Sequence, residues 1–427
     1  MTDSTSIAAP KSSLVFVFLV VLIDMLGFGI IMPVLPELIT EITGDSLSAA
    51  AVDAGWLAFA YAAMQFIFGP VVGNLSDRFG RRPVLLGALG GYAIAYVLMG
   101  LAPSLLWLFV ARIVAGIMGA SFSTAYAYIA DISPPERRSQ NFGLIGAAFG
   151  LGFIFGPALG GLLGEYGTRL PFFAAGGLAA INLIFGIVML RESLPVERRR
   201  AFDIRRANAF VALQGLSGQN RVVIWYAAAL TVWMIGHVVY PIVFAFYAIE
   251  NFGWSAFTVG LALACVGIGA AVVQGLLIRI LIPRIGERNA VIIGALGMAV
   301  STVAYLVAGP DQGWLIFLAI PVGALQGLFQ PSLNGLMSRA VSDDTQGELQ
   351  GAVASLQSVA SVIGPPMFTA VFAAFTVAGT VHYLPGAPFA LAGLIALVAL
   401  AIFLRGYALH RTSGEVAPPP DAHPATD

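Results

Sequence analysis

Charge is scarce in this chain of 427 residues, and so is cysteine. Asp, Glu, Lys and Arg make up 10% of the chain and 59% of it is hydrophobic, whereas a soluble domain carries roughly 25% charged residues. Water is therefore not the solvent for most of its surface. The single cysteine, Cys265, excludes an intrachain disulfide and any cysteine-cluster metal site.

Several kinds of chemistry are also missing. The chain has no Gly-x4-Gly-Lys-Ser/Thr phosphate loop, no zinc-ligand spacing and no nucleophile elbow, so an ATP-driven pump or a membrane hydrolase is unsupported. We expect no enzymatic activity, no metal, no cofactor other than protons and no nucleic-acid partner.

Long apolar runs are what the chain has instead. A membrane-spanning helix needs about 20 mostly apolar residues. Twelve runs qualify, at roughly 14–37, 52–73, 84–101, 103–126, 140–164, 171–190, 221–248, 256–280, 290–308, 314–338, 348–374 and 387–405. A β-barrel would show alternating segments of about ten residues. The sequence therefore predicts an all-α membrane protein with twelve transmembrane helices.

The basic residues predict the orientation. With the N-terminus in the cytoplasm, all but two of the 21 Lys and Arg lie on the cytoplasmic side, the exceptions being Arg112 within a span and Arg169 in an outer loop. This asymmetry is the positive-inside signal. We expect a multi-pass protein of the cell's inner membrane, with both termini cytoplasmic.

One long polar interruption divides the chain. We expect six helices in residues 1–190, a cytoplasmic linker at 191–220, six helices in 221–411 and a disordered tail at 412–427. Within the linker, 202–216 is either a short helix on the membrane surface or a solvated connection. Gly156-Pro157 recurs 208 residues later as Gly364-Pro365. Two duplicated halves around a midplane cavity are typical of secondary transporters.

The loop between the second and third runs carries the most specific pattern. Gly73 allows close helix packing, and Gly80 allows a tight turn before the third helix. Asp77 is an acid that a helix N-terminus from the other half could accept, so the loop is a candidate cytoplasmic gate. The motif comprises Gly73, Asp77, Arg78, Gly80, Arg81 and Arg82. The alternative is a basic turn that only sets topology.

The fifth run carries small residues at four-residue spacing. Gly152, Gly156 and Gly160 form one face that permits close contact between helices, and Pro157 bends the helix. Ordinary small-residue packing is the alternative.

Two ionisable residues lie deep in predicted spans. Asp24 is about ten residues into the first run and Arg112 about nine into the fourth, which places both near the midplane. An unpaired charge there costs about 3 kcal/mol or more. We therefore expect an interacting pair in which Asp24 carries a coupled proton; a static salt bridge is the alternative.

Other polar side chains in the spans are candidates for the wall of a substrate cavity. Unpaired amides are costly in hydrocarbon, so such groups either face a cavity or bond between helices. The candidates are Gln65, His237, Tyr240, Gln274, Gln326 and Gln330.

These motifs resemble those of the major facilitator superfamily, and nearly the whole chain resembles its tetracycline/proton antiporters. The resemblance rests on Asp24-Met-Leu-Gly-Phe-Gly-Ile-Ile-Met-Pro33, the 73–83 loop and Gln346-Gly-Glu-Leu-Gln-Gly351. It implies the major facilitator fold, an antiporter motif at 152–160 and a proton-relay role for Arg112. The chain departs from those antiporters at Ala95, Ala270 and Met298, where they carry an acid, a histidine and an acid.

The sequence thus predicts a proton-coupled exporter of a small lipophilic molecule or drug, working as a monomer in the lipid bilayer. Because three charged or titratable groups of the tetracycline exporters are missing, we expect neutral or monocationic lipophilic substrates to be preferred over tetracycline. A major facilitator transporter for uptake or for metabolites is the alternative. A channel or a non-transporting membrane sensor is a more distant one.

Overall fold

The computed structural model describes residues 11–120, 122–134, 137–203, 220–342, 345–377, 379 and 382–413. Helices dominate these residues, which contain no β-strand. Most of the predicted surface helix at 202–216 and most of the predicted tail lie outside the described residues, as does the side chain of Asp24.

The first half contains eight helical segments, and some neighbouring segments are two pieces of one broken membrane span. They are α1 (Lys11–Ile31), α2 (Leu35–Thr43), α3 (Leu47–Phe79), α4 (Arg81–Leu101), α5 (Leu105–Gly119), α6 (Phe122–Ile132), α7 (Arg138–Gly164) and α8 (Leu170–Met189). A 3-10 turn at Val196–Arg198 follows.

The second half repeats this pattern of helices. It comprises α9 (Arg221–His237), α10 (Val239–Phe252), α11 (Ala256–Val272), α12 (Ile278–Val307), α13 (Trp314–Ala324), α14 (Phe329–Arg339), α15 (Gln346–Phe375) and α16 (Ala387–Ser413). A π-helical segment, Val273–Leu277, joins α11 to α12, and a 3-10 segment, Leu325–Leu328, joins α13 to α14.

Ten helical stretches in the described residues are long and apolar enough to cross a membrane, or eleven if the bent pair α1 and α2 counts as one span. One of them, Ala256–Val307, has 52 residues and would be about 78 Å long as a straight helix, more than twice a bilayer's apolar thickness of about 30 Å. The chain turns at Gly286, which has φ 74° and ψ 159°. The stretch therefore consists of two helical segments that follow each other directly. The all-α membrane fold is confirmed, and the count of twelve remains a prediction.

Local chemistry explains where the helices begin and end. Ser46 caps α3 by accepting a hydrogen bond from the Ala49 amide at 3.3 Å, and Asn220 caps α9 through the Val223 amide at 2.9 Å. Both are residue types that satisfy the free N–H groups of a helix start. At the other end of a helix, Gly253 follows α10 with φ 63°, a left-handed conformation that glycine adopts without strain.

Each half packs mainly within itself and meets the other along two seams. In the first half α1 lies against α7 and α8, and in the second α9 lies against α16. Across the halves, α7 packs on α11 and α3 packs on α15. The halves therefore enclose a space between them.

Candidate functional site

A central cavity of about 910 Å³ lies between the two halves. The first half lines it with α1, α3 and α5, and the second half with α10 and α15. Its wall includes Met25, Phe28, Phe66 and Phe246. One end reaches Asn74, Asp77 and Arg200. That end carries the arginine-rich loop and is called the basic end below.

The seam between α7 and α11 closes the far end of the cavity. A Cβ atom added at Gly161 would lie 3.0 Å from the Phe257 Cα, and one at Gly260 would lie 3.1 Å from the Gly161 Cα. Both glycines are in backbone contact across the halves, so no side chain fits there. The Phe257 N–H also donates to a Glu165 carboxylate oxygen at 3.2 Å.

The second seam, between α3 and α15, closes the same end. A Cβ at Gly55 would lie 3.0 Å from the Thr369 Cβ and 3.2 Å from the Pro365 carbonyl oxygen. Nearby, the Ser48 hydroxyl donates to the Thr376 carbonyl at 3.0 Å. The two seams thus bring the halves into contact at the end opposite the basic end.

The predicted small-residue face of α7 lies against α1. A Cβ at Gly152 would lie 3.0 Å from the Leu26 nitrogen, one at Gly156 would lie 2.8 Å from the Gly29 Cα, and one at Gly160 would lie 2.8 Å from the Ile30 Cα. Pro157 contacts α1 through its ring and α11 through its carbonyl. The motif thus holds α7 between α1 and the opposite half. Gly161 and Gly260 complete the seam, and sequence spacing alone did not single them out.

Arg112 projects from α5 into the cavity wall. Its residue surface is 9% exposed. Gly116 and Gly119 on the same helix let Tyr61 approach closely, and the Tyr61 and Tyr92 hydroxyls lie 3.3 Å apart.

Asp24 lies in α1, one residue before the cavity-lining Met25. Met25 and Arg112 line the same cavity. Because the Asp24 side chain lies outside the described residues, their pairing remains a prediction.

The loop motif forms an ion-pair cluster at the basic end. Arg81 contacts Asp77 at 2.6 Å and Asp131 at 3.3 Å. Gly80 has φ 102°, a conformation that side chains rarely adopt. The Arg78 guanidinium lies 5.1 Å from the centre of the Phe79 ring.

In this structure Asp77 pairs with Arg81 of its own half. The cavity separates the two halves at this end, so the contact of Asp77 with a helix N-terminus of the other half, expected when this end is closed, remains a prediction. A Cβ at Gly73 would meet only Ser123, at an ordinary 3.7 Å.

Glu192 is a member of this cluster that sequence reasoning missed. Its carboxylate accepts from the Arg81 amide at 2.8 Å and from the Arg82 amide at 3.3 Å, and so satisfies free N–H groups at the start of α4. The segment after Glu192 stays at the loop, where the Arg200 amide donates to the Asp77 carbonyl at 3.0 Å. An acid directly after an apolar run gave no hint of this role.

Of the six predicted cavity side chains, only Gln65 lines the cavity. Its amide nitrogen donates to the Gly119 carbonyl at 3.1 Å. The other five do not line it. His237 stacks on Trp233, with 4.9 Å between ring centres, and Tyr240 packs against Tyr305 at 6.0 Å.

The three remaining glutamines do not line the cavity, and for two of them the helix geometry differs from the one assumed. The interpretation of Gln326 and Gln330 assumed one continuous α-helix, but the 3-10 segment Leu325–Leu328 interrupts it. A 3-10 turn has 3.0 residues per turn, so a four-residue spacing no longer shares one face. Gln326 is buried within the second half, and Gln274 is exposed on the π-helical segment next to Gly327.

The structure has two helical halves, a cavity that both halves line, and seams where the halves touch at one end. Together these features define a multi-pass transporter fold. Comparison with known proteins agrees: a family model described as Major Facilitator Superfamily matches residues 17–365 and 242–425. The chain belongs to the major facilitator superfamily and is a membrane transporter, not an enzyme.

Individual proteins that are similar to this chain show which members of the superfamily it resembles. The chain is 41% identical over 369 residues to the tetracycline resistance protein, class C, of Escherichia coli, covering 85% of this chain and 90% of that protein. It is 37% identical to the class G protein of Vibrio anguillarum, covering 85% and 91%. Among solved structures, a bacterial homolog of the human lysosomal transporter Spinster, in an inward-facing and unoccupied conformation, superposes with a TM-score of 0.72. The two chains are 16% identical, and the match covers 96% of this chain and 99% of that one.

Proposed function

We propose that this protein exports a small lipophilic molecule or drug from the bacterial cytoplasm in exchange for protons. It works as a monomer in the inner membrane with both termini in the cytoplasm. One observation carries the proposal: a chain 41% identical to a tetracycline resistance protein holds a largely apolar cavity of about 910 Å³ between its halves. This volume lies within the range of pockets that bind drug-sized molecules.

The shape of the cavity supports loading from the cytoplasm. The basic end is the cytoplasmic one by the distribution of arginines, and the cavity reaches it at Asp77 and Arg200. The seams at Gly55 and Gly161 close the outer end. A lipophilic compound enters from inside, and alternating access then requires both seams to part.

Proton coupling falls to Asp24 with Arg112. Burial disfavours a charged carboxylate and a neighbouring guanidinium favours it, so the proton affinity of Asp24 depends on the distance between the two groups. A conformational change that alters this distance lets the acid take a proton on the outer side and release it inside. Arg112 is already nine-tenths buried, which strengthens any charge interaction it makes.

The main rival is a transporter that takes up a nutrient or metabolite. It shares the fold and the cavity but has no need of the glycine motif of α7, which the resemblance connects with exporters. A channel is a weaker alternative than a transporter, because the seams hold the two halves together at the outer end of the cavity.

A substrate panel tests the direction and the energy source. Cells or proteoliposomes with the protein should export ethidium, tetraphenylphosphonium or tetracycline against a concentration gradient, and a protonophore should abolish the export. Because Ala95, Ala270 and Met298 replace charged or titratable groups, we expect stronger protection against the two lipophilic cations than against tetracycline. Resistance of one host to all three compounds, with and without expression, is the measurement.

Two results would contradict these expectations separately. Inward accumulation driven by the gradient would favour the uptake transporter. Strong, magnesium-dependent protection against tetracycline alone would keep the exporter but reverse the substrate preference.

Asp77→Asn tests whether the 73–83 loop is a gate. The change removes the acid and keeps every basic residue of the loop, so membrane insertion should survive. Transport should fall about tenfold or more, because a hydrogen bond to a charged group contributes about 1.5–3 kcal/mol to whichever state forms it. Asp45→Asn, at the outer end, is the matched control. Normal transport by the Asp77 variant would leave the loop with a topological role only.

A further inference from the structure

A narrow groove lies between α9 and α15, outside the central cavity. It has a volume of about 210 Å³, and it is lined by Ile224, Ala227, Ala228, Thr231 and Leu356. None of these residues lines the central cavity. The groove is smaller than the roughly 300–1,000 Å³ of pockets that bind drug-sized molecules, so it is not a second site for such a molecule.

The wall of the groove is apolar and is open to the membrane. Thr231 carries the one polar side chain in this wall, and its hydroxyl donates to the Ala227 carbonyl at 2.8 Å. Ile224 is 44% exposed. The groove follows α9 from Ile224 to Thr231 over about 10 Å, which is less than half of a bilayer's apolar thickness of about 30 Å. This shape fits part of one acyl chain in one leaflet.

Two arginines and a tryptophan lie at one end of the groove. Arg221 is the first residue of α9, and its spacing from Ile224 and Ala228 places all three on one face of the helix. Trp225 lies on the same face, one turn after Arg221. The Arg405 guanidinium of α16 lies 5.4 Å from the centre of the Trp225 ring.

The chemistry at this end suits an anionic headgroup. Arg221 and Arg405 are both exposed, and neither has an Asp or Glu within four residues on either side in the chain. Guanidinium groups bind phosphate through paired charge-assisted hydrogen bonds. Tryptophan is enriched at the level of lipid headgroups. Both arginines belong to the cytoplasmic side in the orientation that the basic residues predict.

We propose that this groove binds one anionic phospholipid of the cytoplasmic leaflet. Its phosphate contacts Arg221 and Arg405, and one acyl chain lies between α9 and α15. Basic pockets between transmembrane helices on the cytoplasmic side are suited to such headgroups, and the groove below the arginines adds apolar contact with the chain. The site lies outside the central cavity, so it does not depend on which molecule is exported.

Native mass spectrometry of the purified full-length protein tests the headgroup contacts. Phosphatidylglycerol and phosphatidylcholine with identical acyl chains are the two probes. We expect the wild type to bind one phosphatidylglycerol with a Kd about tenfold or more below that for phosphatidylcholine. R221Q/R405Q should lose this preference, because each arginine near an anionic headgroup accounts for roughly a fivefold change. R279Q/R284Q is the matched control, since it removes two exposed arginines of α12 that do not line the groove, and it should keep the preference.

Ala228→Phe tests the acyl-chain contact. Ala228 is exposed, so the larger side chain fills the groove without entering the core, and both arginines remain. Binding of phosphatidylglycerol should weaken about tenfold or more, because each buried methylene group accounts for roughly a fourfold change. Ile181→Phe, at a position of α8 that is 61% exposed, should leave binding unchanged. Millimolar inorganic phosphate should not displace the lipid from the wild type, since it has no acyl chain.

Every contrary outcome overturns a defined part of this inference. Equal affinity of the wild type for the two lipids, or a preference retained in R221Q/R405Q, removes the headgroup contacts. The same loss in R279Q/R284Q assigns the preference to surface charge in general and overturns the site. Displacement by inorganic phosphate, or unchanged binding in Ala228→Phe, shows a site for a phosphate group alone and overturns the lipid. Proton-driven export by the wild type can stand or fall separately from all of these results.

Discussion

Asp24→Asn should reduce proton-driven export to the background of cells that lack the protein. Asparagine matches the shape of aspartate but cannot take up and release a proton near neutral pH. Asp24 is the one carboxylate that the sequence places near the midplane, so no other group can take over the coupled proton. The measurement is uphill export of ethidium from inverted vesicles or cells under an imposed pH gradient.

Two controls make this result specific. Asp24→Glu keeps a carboxyl group and should retain part of the transport, whereas Asp53→Asn removes an acid near the outer end of α3 and should have little effect. Substrate binding by the purified Asp24→Asn protein should persist, since the change affects coupling. Uphill export at the normal rate by Asp24→Asn would remove Asp24 from the coupling mechanism.

Gly260→Val should nearly abolish transport by a different route. A Cβ at Gly260 already lies 3.1 Å from the Gly161 Cα, and valine adds two methyl groups against backbone that cannot move aside. Overpacking of this kind costs about 1–3 kcal/mol, enough to shift a two-state equilibrium by roughly 5- to 150-fold. The state with a closed outer end should be depleted, and the protein should remain open to the outside.

A distance measurement across the outer end checks this shift directly. Spin labels on Asp45→Cys and Asp311→Cys, in a background with Cys265→Ala, should move apart when Gly260→Val is added. Gly177→Val is the control, because a Cβ at Gly177 meets nothing within 4 Å. Unchanged label distances together with normal transport would show that the α7–α11 seam is not part of the transport cycle.

Some parts of the site could be read from residue type and spacing alone. The glycines at 152, 156 and 160 recur every four residues, which is sufficient to predict a close helix contact. Gly80 stands between two charged helix ends and has a left-handed backbone. In both cases the property belongs to a few consecutive residues, so local sequence contains the necessary information.

Other parts depended on partners far away in the chain. Glu192 caps the helix that begins at Arg81, more than 100 residues earlier, and nothing near either residue indicates it. Gly161 and Gly260 become important only because α7 and α11 cross there.

The sequence by itself determined that the chain lies in a membrane, where its apolar runs fall and which end of the bundle is basic. These follow from the solvation of individual side chains, which depends on composition over about 20 residues. The tertiary structure alone decided that the halves touch at the end opposite the basic end, and it decided which polar groups line the cavity. The 3-10 segment Leu325–Leu328 changes the direction in which the side chains around it point. The contact of Gly161 with the Phe257 backbone fixes the spacing between α7 and α11. Neither effect can be read from a local sequence pattern.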